Sequence, residues 1–177
     1  KIWIYPLVNG RPRETSAYSV SPATSQAGAY FGRNDIVLND TEMFVSDISA
    51  SGSEAGSQND GVVYYFKKSS DTTGNNFKFG GTTGNHEYVL TQSNGSGLQD
   101  YFGWAIDYDG TTFVAGSPYT DGTGTRRGAV SIFTASADTG KFEQWYEITP
   151  DSTQDHSYFG IALAIDGDTL AVHSQES

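Results

Sequence analysis

A unit that opens with a Phe-Gly pair recurs along the chain, and this repetition limits the fold more than any other sequence feature. The pairs are Phe31-Gly32, Phe102-Gly103 and Phe159-Gly160. The copy that begins at Tyr101 is the best formed, with two apolar runs around an Asp-Tyr-Asp-Gly turn, then a polar loop and a third apolar run. Repetition of this kind indicates an array of similar units, each of which buries its apolar faces against its neighbours.

Each full unit predicts four short antiparallel strands, because aromatic and β-branched runs alternate with Gly, Asn and Asp turns. In the second copy the expected strands are 104–107, 112–115, 128–134 and 142–148. In the first copy they are 36–38, 43–46, 61–66 and 87–91, with a Gly- and Asn-rich insertion over 77–86. The third copy predicts strands over 159–165 and 169–173.

The first residues of the chain predict the second half of another unit. Residues 1–7 alternate in polarity, Asn9-Gly10 is a strong hairpin signal, and 15–20 would return as a strand. Four-stranded antiparallel units of this kind are the blades of a β-propeller. The predicted class is therefore all-β, a propeller of which this chain supplies two full and two partial blades. A β-sandwich or a β-solenoid is the alternative.

The predicted segments are all parts of one larger propeller, since a propeller has at least about four blades. Residues 1–27 form the second half of a blade, 28–98 a blade with an insertion, 99–155 a blade, and 156–177 the first half of a blade.

Composition excludes several classes of function. The 177 residues carry a formal net charge of −11, which argues against a nucleic-acid partner because such proteins present a clustered basic face. No apolar stretch of about 18 residues is present, so no membrane span is expected in this segment. Without cysteine there is neither a disulfide nor thiol chemistry.

The repeated unit resembles the FG-GAP repeat, the blade motif of integrin α-subunit propellers and of many bacterial and algal surface proteins. The resemblance is carried by Phe102-Gly103, by residues 114–118 (Val-Ala-Gly-Ser-Pro) and by residues 128–133. The Gly-Ser-Pro stands where the family has Gly-Ala-Pro. This resemblance implies a propeller fold and an extracellular or cell-surface location.

Integrin-like blades often hold calcium in the turn between their first two strands. The matching candidates here are Asp107, Asp109, Asp166 and Asp168. Calcium takes six to eight oxygen ligands, and neither turn offers a third carboxylate. Asp and Gly also favour tight turns for backbone reasons alone. We therefore expect plain turns and no obligate cofactor, with calcium as the alternative.

The polar loops and the links between blades open on one face of a propeller, which is the partner-binding face in integrins. The expected interaction residues on that face are Tyr119, Asp121, Arg126, Arg127, Asp155 and His156. Tyr and Arg are enriched at interface hot spots. Tyr101 and Tyr158 lie next to this set, where packing between blades is the alternative role. Asn39 and Asn94 begin Asn-x-Ser/Thr sequons and are candidate glycosylation sites.

No catalytic motif is present, so the chain is not expected to be an enzyme. The expected function is a non-catalytic extracellular propeller for adhesion, recognition or assembly of a surface structure through contacts with a protein partner or with other copies. The alternative is a carbohydrate-active or carbohydrate-binding propeller of a secreted enzyme. A repeat that packs within a filament is a third reading.

Overall fold

The chain folds into short antiparallel β-sheets. The computed structural model describes residues 1–23, 30–50, 59–70, 77–81, 83–93, 99–122, 124–150 and 155–175. Within these ranges there are fifteen strands in five sheets and one 3-10 turn, Glu14–Ser16, but no α-helix. The all-β prediction is confirmed. No helix in the described part of the chain is long and apolar enough to cross a membrane.

The second blade is a regular four-stranded meander. Its strands, in spatial and chain order, are β10 (Ile106–Tyr108), β11 (Thr112–Ser117), β12 (Ala129–Ala135) and β13 (Phe142–Ile148). The two inner strands are almost wholly buried, which suits a sheet covered on both faces. A register shift between Ile132 and Phe133 marks a β-bulge in the pairing of β12 with β13.

The first blade repeats this meander and adds a strand. Its strands are β5 (Ile36–Leu38), β6 (Glu42–Asp47), β7 (Val62–Ser70), β8 (Phe77–Phe79) and β9 (Tyr88–Leu90). The first part of β7 pairs with β9 and its last three residues pair with β8. The prediction of an irregular insertion over 77–86 is therefore wrong for its first residues, because 77–79 form a strand that pairs with the extended end of β7.

A half blade lies at each end of the chain. The N-terminal half blade pairs β1 (Ile2–Ile4) with β4 (Tyr18–Val20), and between them β2 (Leu7–Val8) and β3 (Arg11–Pro12) form the hairpin predicted at Asn9-Gly10. The C-terminal half blade is the hairpin of β14 (Ala162–Asp166) and β15 (Thr169–His173). The structure thus has the predicted arrangement of two full blades and two partial blades. The residue boundaries of the four segments stay a prediction.

The Phe-Gly glycines show that the blades are related by repetition. A Cβ atom on Gly32 would lie 2.7 Å from the side chain of Ile2, and one on Gly103 would lie 2.9 Å from Val63. The corresponding distance from Gly160 to Val130 is 3.0 Å. Each contacted residue is the first or second residue of the corresponding strand in the preceding blade (β1, β7 or β12), so three successive junctions are built in the same way.

The predicted first strands of the second and third copies begin too early. Trp104 lies in a turn, where its backbone N donates to the carbonyls of Tyr101 and Gly116. The chain must first pass through the Phe-Gly turn before it can join β11. Pairing accordingly starts at Ile106 in the second blade and at Ala162 in the third copy.

Aromatic side chains fill the junction between the two full blades. The buried cluster there includes Phe44 of the first blade and Phe113 of the second, whose rings stack with centroids 4.3 Å apart. Met43 and Val45 point to the opposite face of β6 and pack with Val20 in a second cluster under the N-terminal half blade. Alternation along β6 thus supplies both cores.

A carboxylate bridges the same two blades. Glu42 accepts a hydrogen bond from the hydroxyl of Tyr65 (2.8 Å), and its other oxygen lies 2.5 Å from the hydroxyl of Tyr108 in the second blade. Burial, then the hydrogen bond to Glu42, raises the pKa of both tyrosines far above the ordinary value. Both phenols therefore stay protonated and available to donate at physiological pH.

Candidate functional site

Each link between blades runs beside the residues that precede the third strand of the blade before it. At the junction of the second blade with the C-terminal half blade, the backbone N atoms of His156, Tyr158 and Phe159 donate to the carbonyls of residues 125–127. At the junction of the first blade with the second, Tyr101 N and Phe102 N donate to the carbonyls of residues 59 and 60 in the same pattern. These ladders bring the links and the loops between second and third strands to one face, which we call the loop face.

The loop face concentrates unusual backbone conformations. Six of the seven described non-glycine residues with positive φ lie in these ladders or in the links beside them, with φ between 48° and 63°. They are Asn59, Gln99, Tyr101, Arg126, His156 and Tyr158. Such conformations cost free energy, and they are frequently held at functional sites by the surrounding structure. The same pattern at two junctions shows that it is built into the repeat.

An open cleft with a volume of about 820 Å³ lies on the loop face between the first and second blades. Four aromatic residues line it: Tyr30, Tyr101, Trp104 and Tyr119. Arg33 and Arg126 add positive charge, and Asp121 adds a carboxylate. The volume lies within the range of ligand-binding clefts.

Tyr119 is the centre of the aromatic group. Its ring meets Tyr101 edge-to-face at 5.0 Å between centroids and Tyr158 at 5.2 Å, and it contacts Trp104 at 5.6 Å. The guanidinium carbon of Arg126 lies 5.4 Å from the centroid of the same ring. Tyr101 thus lines the cleft and takes part in a junction, whereas Tyr158 packs on Tyr119 from the next junction and is not one of the residues that line the cleft. Whether either residue contacts a partner stays a prediction.

Acidic side chains fix the loop that carries Arg126. Asp121 accepts from Arg126 N at 2.9 Å. Asp155 accepts from Thr125 N at 2.9 Å and from the side chain of Arg127 at 3.1 Å. The hydrogen bond from Thr125 N, then that from Arg127, holds the pKa of Asp155 below its ordinary value. The ionised carboxylate thus ties the link to the loop.

The structure divides the six residues predicted to interact. Tyr119, Asp121 and Arg126 line the cleft, whereas Arg127 and Asp155 form the supporting ion pair. His156 is exposed beside Tyr158, at 6.1 Å between ring centroids. Whether these residues contact a partner stays a prediction.

Sequence reasoning missed Tyr30, Arg33 and Trp104. All three flank Phe-Gly pairs: Tyr30 stands where the later copies have Tyr101 and Tyr158, and Arg33 stands where the second copy has Trp104. Treating the positions around each Phe-Gly pair as equivalent would have found them.

The carboxylates of two of the candidate calcium residues, Asp107 and Asp109, accept hydrogen bonds within and between turns, and calcium binding at the candidate positions stays a prediction. Asp107 accepts from the backbone N of Tyr108 with one oxygen and from that of Ile165 with the other. Asp109 accepts three hydrogen bonds from Thr111 and Thr112. Among the described residues, no three His, Asp or Glu side chains converge as metal ligands. Asp166 precedes the two-residue turn of the last hairpin, and Asp168 is the second residue of that turn.

The sequon at Asn39 lies in the matching turn of the first blade. Asn39 Oδ1 accepts from Thr41 N and Glu42 N, both at 2.8 Å, so its side chain caps the turn. The amide nitrogen of Asn39 lies 3.5 Å from Glu42. Asn94 falls outside the described residues. Glycosylation of both residues stays a prediction.

Comparison with known proteins finds one family that resembles part of the chain. The FG-GAP repeat family model matches residues 86–133, which include β9, β10, β11 and most of β12. No curated protein matches the chain. This part of the chain is similar to the FG-GAP repeat, which agrees with the resemblance found in the sequence. Such repeats suggest propeller-like protein-interaction domains and typically occur in extracellular or surface proteins.

Proposed function

We propose that this chain is a non-catalytic recognition module of an extracellular propeller, which binds a protein partner at the loop-face cleft in adhesion or in assembly of a surface structure. The convergence of Tyr101, Trp104, Tyr119 and Arg126 in one cleft carries the proposal. Tyr, Trp and Arg dominate binding energy at protein interfaces, where they cluster in well-packed pockets.

The cleft is built for recognition without large rearrangement. Tyr119 is held by three neighbouring aromatic rings, and the loop of Arg126 is held by Asp121 and Asp155. Side chains that are already ordered lose less conformational entropy when a partner binds. This preorganisation supports a binding role.

A carbohydrate-active enzyme is the alternative, and glycoside hydrolysis usually requires two carboxyl groups that flank the scissile bond. Among the described residues that line the cleft, Asp121 is the one carboxylate, and one of its oxygens accepts from Arg126 N. This arrangement supports binding over catalysis.

Site-specific photo-crosslinking tests the proposal. A photo-reactive amino acid would replace Thr125, which lines the cleft, or Asp138, which is exposed in the turn between β12 and β13. After irradiation on the native cell surface, we expect a protein adduct of increased mass from position 125 alone. Equal adducts from both positions, or an adduct from 138 alone, would place recognition elsewhere.

A further inference from the structure

The cleft contains two arginines that have no carboxylate partner among the described residues. The guanidinium carbon of Arg33 lies 4.6 Å from the ring centroid of Tyr30, and that of Arg126 lies 5.4 Å from Tyr119. The ion pair described nearby joins Arg127 to Asp155 instead. Both cleft arginines are exposed, so their N–H groups face solvent and can reach a ligand.

Stacking on a tyrosine prepares each guanidinium to bind an anion. The ring restricts the side chain and leaves the N–H edge of the guanidinium directed away from the ring face. That edge matches the two oxygens of a carboxylate in a bidentate hydrogen bond. Each stacked arginine is therefore a preorganised carboxylate receptor.

The charge of the cleft is opposite to that of the molecule. The chain has a net charge of −11 and only ten lysines and arginines. The cleft nevertheless combines Arg33 and Arg126 with a single acid, Asp121, which already accepts from Arg126 N. Charge complementarity favours an acidic ligand at this place and disfavours one elsewhere on the surface.

The two arginines come from different blades. Arg33 follows the Phe-Gly pair that opens the first blade, and Arg126 lies in the loop between β11 and β12 of the second. Both line the same cleft together with Tyr101 and Trp104. A ligand that uses the whole cleft would present at least two acidic groups, with apolar surface for the aromatic rings.

We propose that the cleft binds an acidic segment of a partner protein, with carboxylates on Arg33 and Arg126 and an aromatic or apolar side chain beside Trp104 and Tyr101. This inference rests on the proposed recognition function and names the partner's chemistry. A neutral sugar is disfavoured because it would stack on open ring faces. Here the arginines cover one face each of Tyr30 and Tyr119.

Fluorescence anisotropy with a labelled peptide of alternating Glu and Tyr tests the inference on the full chain. The matched peptide of alternating Gln and Tyr controls for charge. The variants are Arg33→Gln, Arg126→Gln and their combination, with Arg11→Gln as the control because Arg11 is exposed on β3 of the N-terminal half blade. Thermal melts of each variant establish that it is folded.

We expect the Glu-Tyr peptide to bind and the Gln-Tyr peptide to bind at least tenfold more weakly. Each cleft substitution should raise Kd roughly tenfold, equivalent to about 1.4 kcal/mol, which is of the size of a charged hydrogen bond. The Arg11 variant should bind as the wild type does, and added salt should weaken binding.

Equal affinity for both peptides, equal affinity of the double variant and the Arg11 variant, or no binding would overturn the inference. So would tighter, arginine-dependent binding of an oligomer of uronic acids than of the peptide. A protein adduct at position 125 without peptide binding would leave the recognition function standing and reject only the acidic partner. Absence of both would reject both.

Discussion

At a junction between blades, glycine is required because two backbones approach each other closely. Gly128 has φ +83°, and a Cβ atom there would lie 2.2 Å from the carbonyl oxygen of Phe159 in the next blade. Gly140 also has positive φ, +66°, but a Cβ atom there would meet nothing within 4 Å. The two glycines share a left-handed backbone conformation, but only Gly128 lies against another backbone. Comparing them therefore separates the cost of the conformation from the cost of the steric clash.

Gly128→Ala should destabilise the chain more than Gly140→Ala does. The left-handed conformation costs alanine roughly 1–2 kcal/mol at either position. Only at Gly128 must two backbones also separate, which adds roughly 1–3 kcal/mol as overpacking does. Urea unfolding of both variants measures the difference. An equal decrease in the free energy of unfolding for both variants would mean that the backbones at this junction do not touch.

His86 should make stability depend on pH. It packs on Tyr64 and Phe66, and burial lowers its pKa despite the opposing charge of Glu87. An unfolded histidine titrates near 6.5, about the value in model peptides. Because the folded pKa is lower, the contribution of neutral His86 is full above the unfolded pKa and is lost as the pH falls toward the folded one.

The melting temperature should therefore fall between roughly pH 7 and pH 5, a window around the unfolded histidine pKa and above that of most carboxylates. His86→Gln should flatten this slope, because glutamine does not titrate. Differential scanning calorimetry at closely spaced pH values checks it. A His86→Gln variant with the slope of the wild type would assign the dependence to other groups.

At the scale of the elements, the Glu42 bridge between blades predicts a measurable coupling. Tyr108→Phe removes the hydroxyl that lies beside Glu42 and leaves the ring in place. A hydrogen bond to a charged group contributes about 1.5–3 kcal/mol, so we expect a loss near the lower end of this range for a partly exposed pair. Chemical denaturation at neutral pH measures it.

Tyr146→Phe is the matched control, since Tyr146 is 58% exposed on the outer strand β13. It should leave stability unchanged. If both substitutions had the same effect, the carboxylate would not couple the blades.

The sequence predicted elements where repetition and turn chemistry agree. The second blade is recovered because its Asp109-Gly110 turn and apolar runs are regular, and the N-terminal hairpin follows from Asn9-Gly10. The strand at 77–79 was missed because Gly- and Asn-rich flanks hid a short run that pairs only with the extended end of β7. Local pattern cannot reveal a pairing that depends on a distant strand.

The candidate site was predicted in part for the same reason. Tyr119, Asp121 and Arg126 share one loop, so sequence proximity identified them. Tyr30 and Arg33 reach the cleft only because the first blade stacks on the second. Arg126 lines the cleft, whereas Arg127 pairs with Asp155. This difference between two adjacent arginines is visible only in the three-dimensional structure.

At the scale of the whole molecule, stability should not respond to calcium. Both oxygens of Asp107 and the Oδ1 of Asp109 already accept hydrogen bonds from backbone donors, so a cation would have to compete for these carboxylates. We expect the same melting temperature in calcium and in a chelator. A rise in melting temperature that depends on calcium concentration would show a site that these turns do not reveal, because a ligand of the folded state stabilises it.

Hydroxyl-radical footprinting tests whether the loop face is the recognition surface. Oxidation of Trp104 and Tyr119 in the cleft would be compared with that of Trp145 and Tyr146, which are exposed on β13, in the native assembly and in the isolated chain. We expect that binding in the assembly lowers the oxidation of Trp104 and Tyr119 and leaves that of Trp145 and Tyr146 unchanged. Protection of Trp145 and Tyr146, with the cleft oxidised equally in both states, would contradict it.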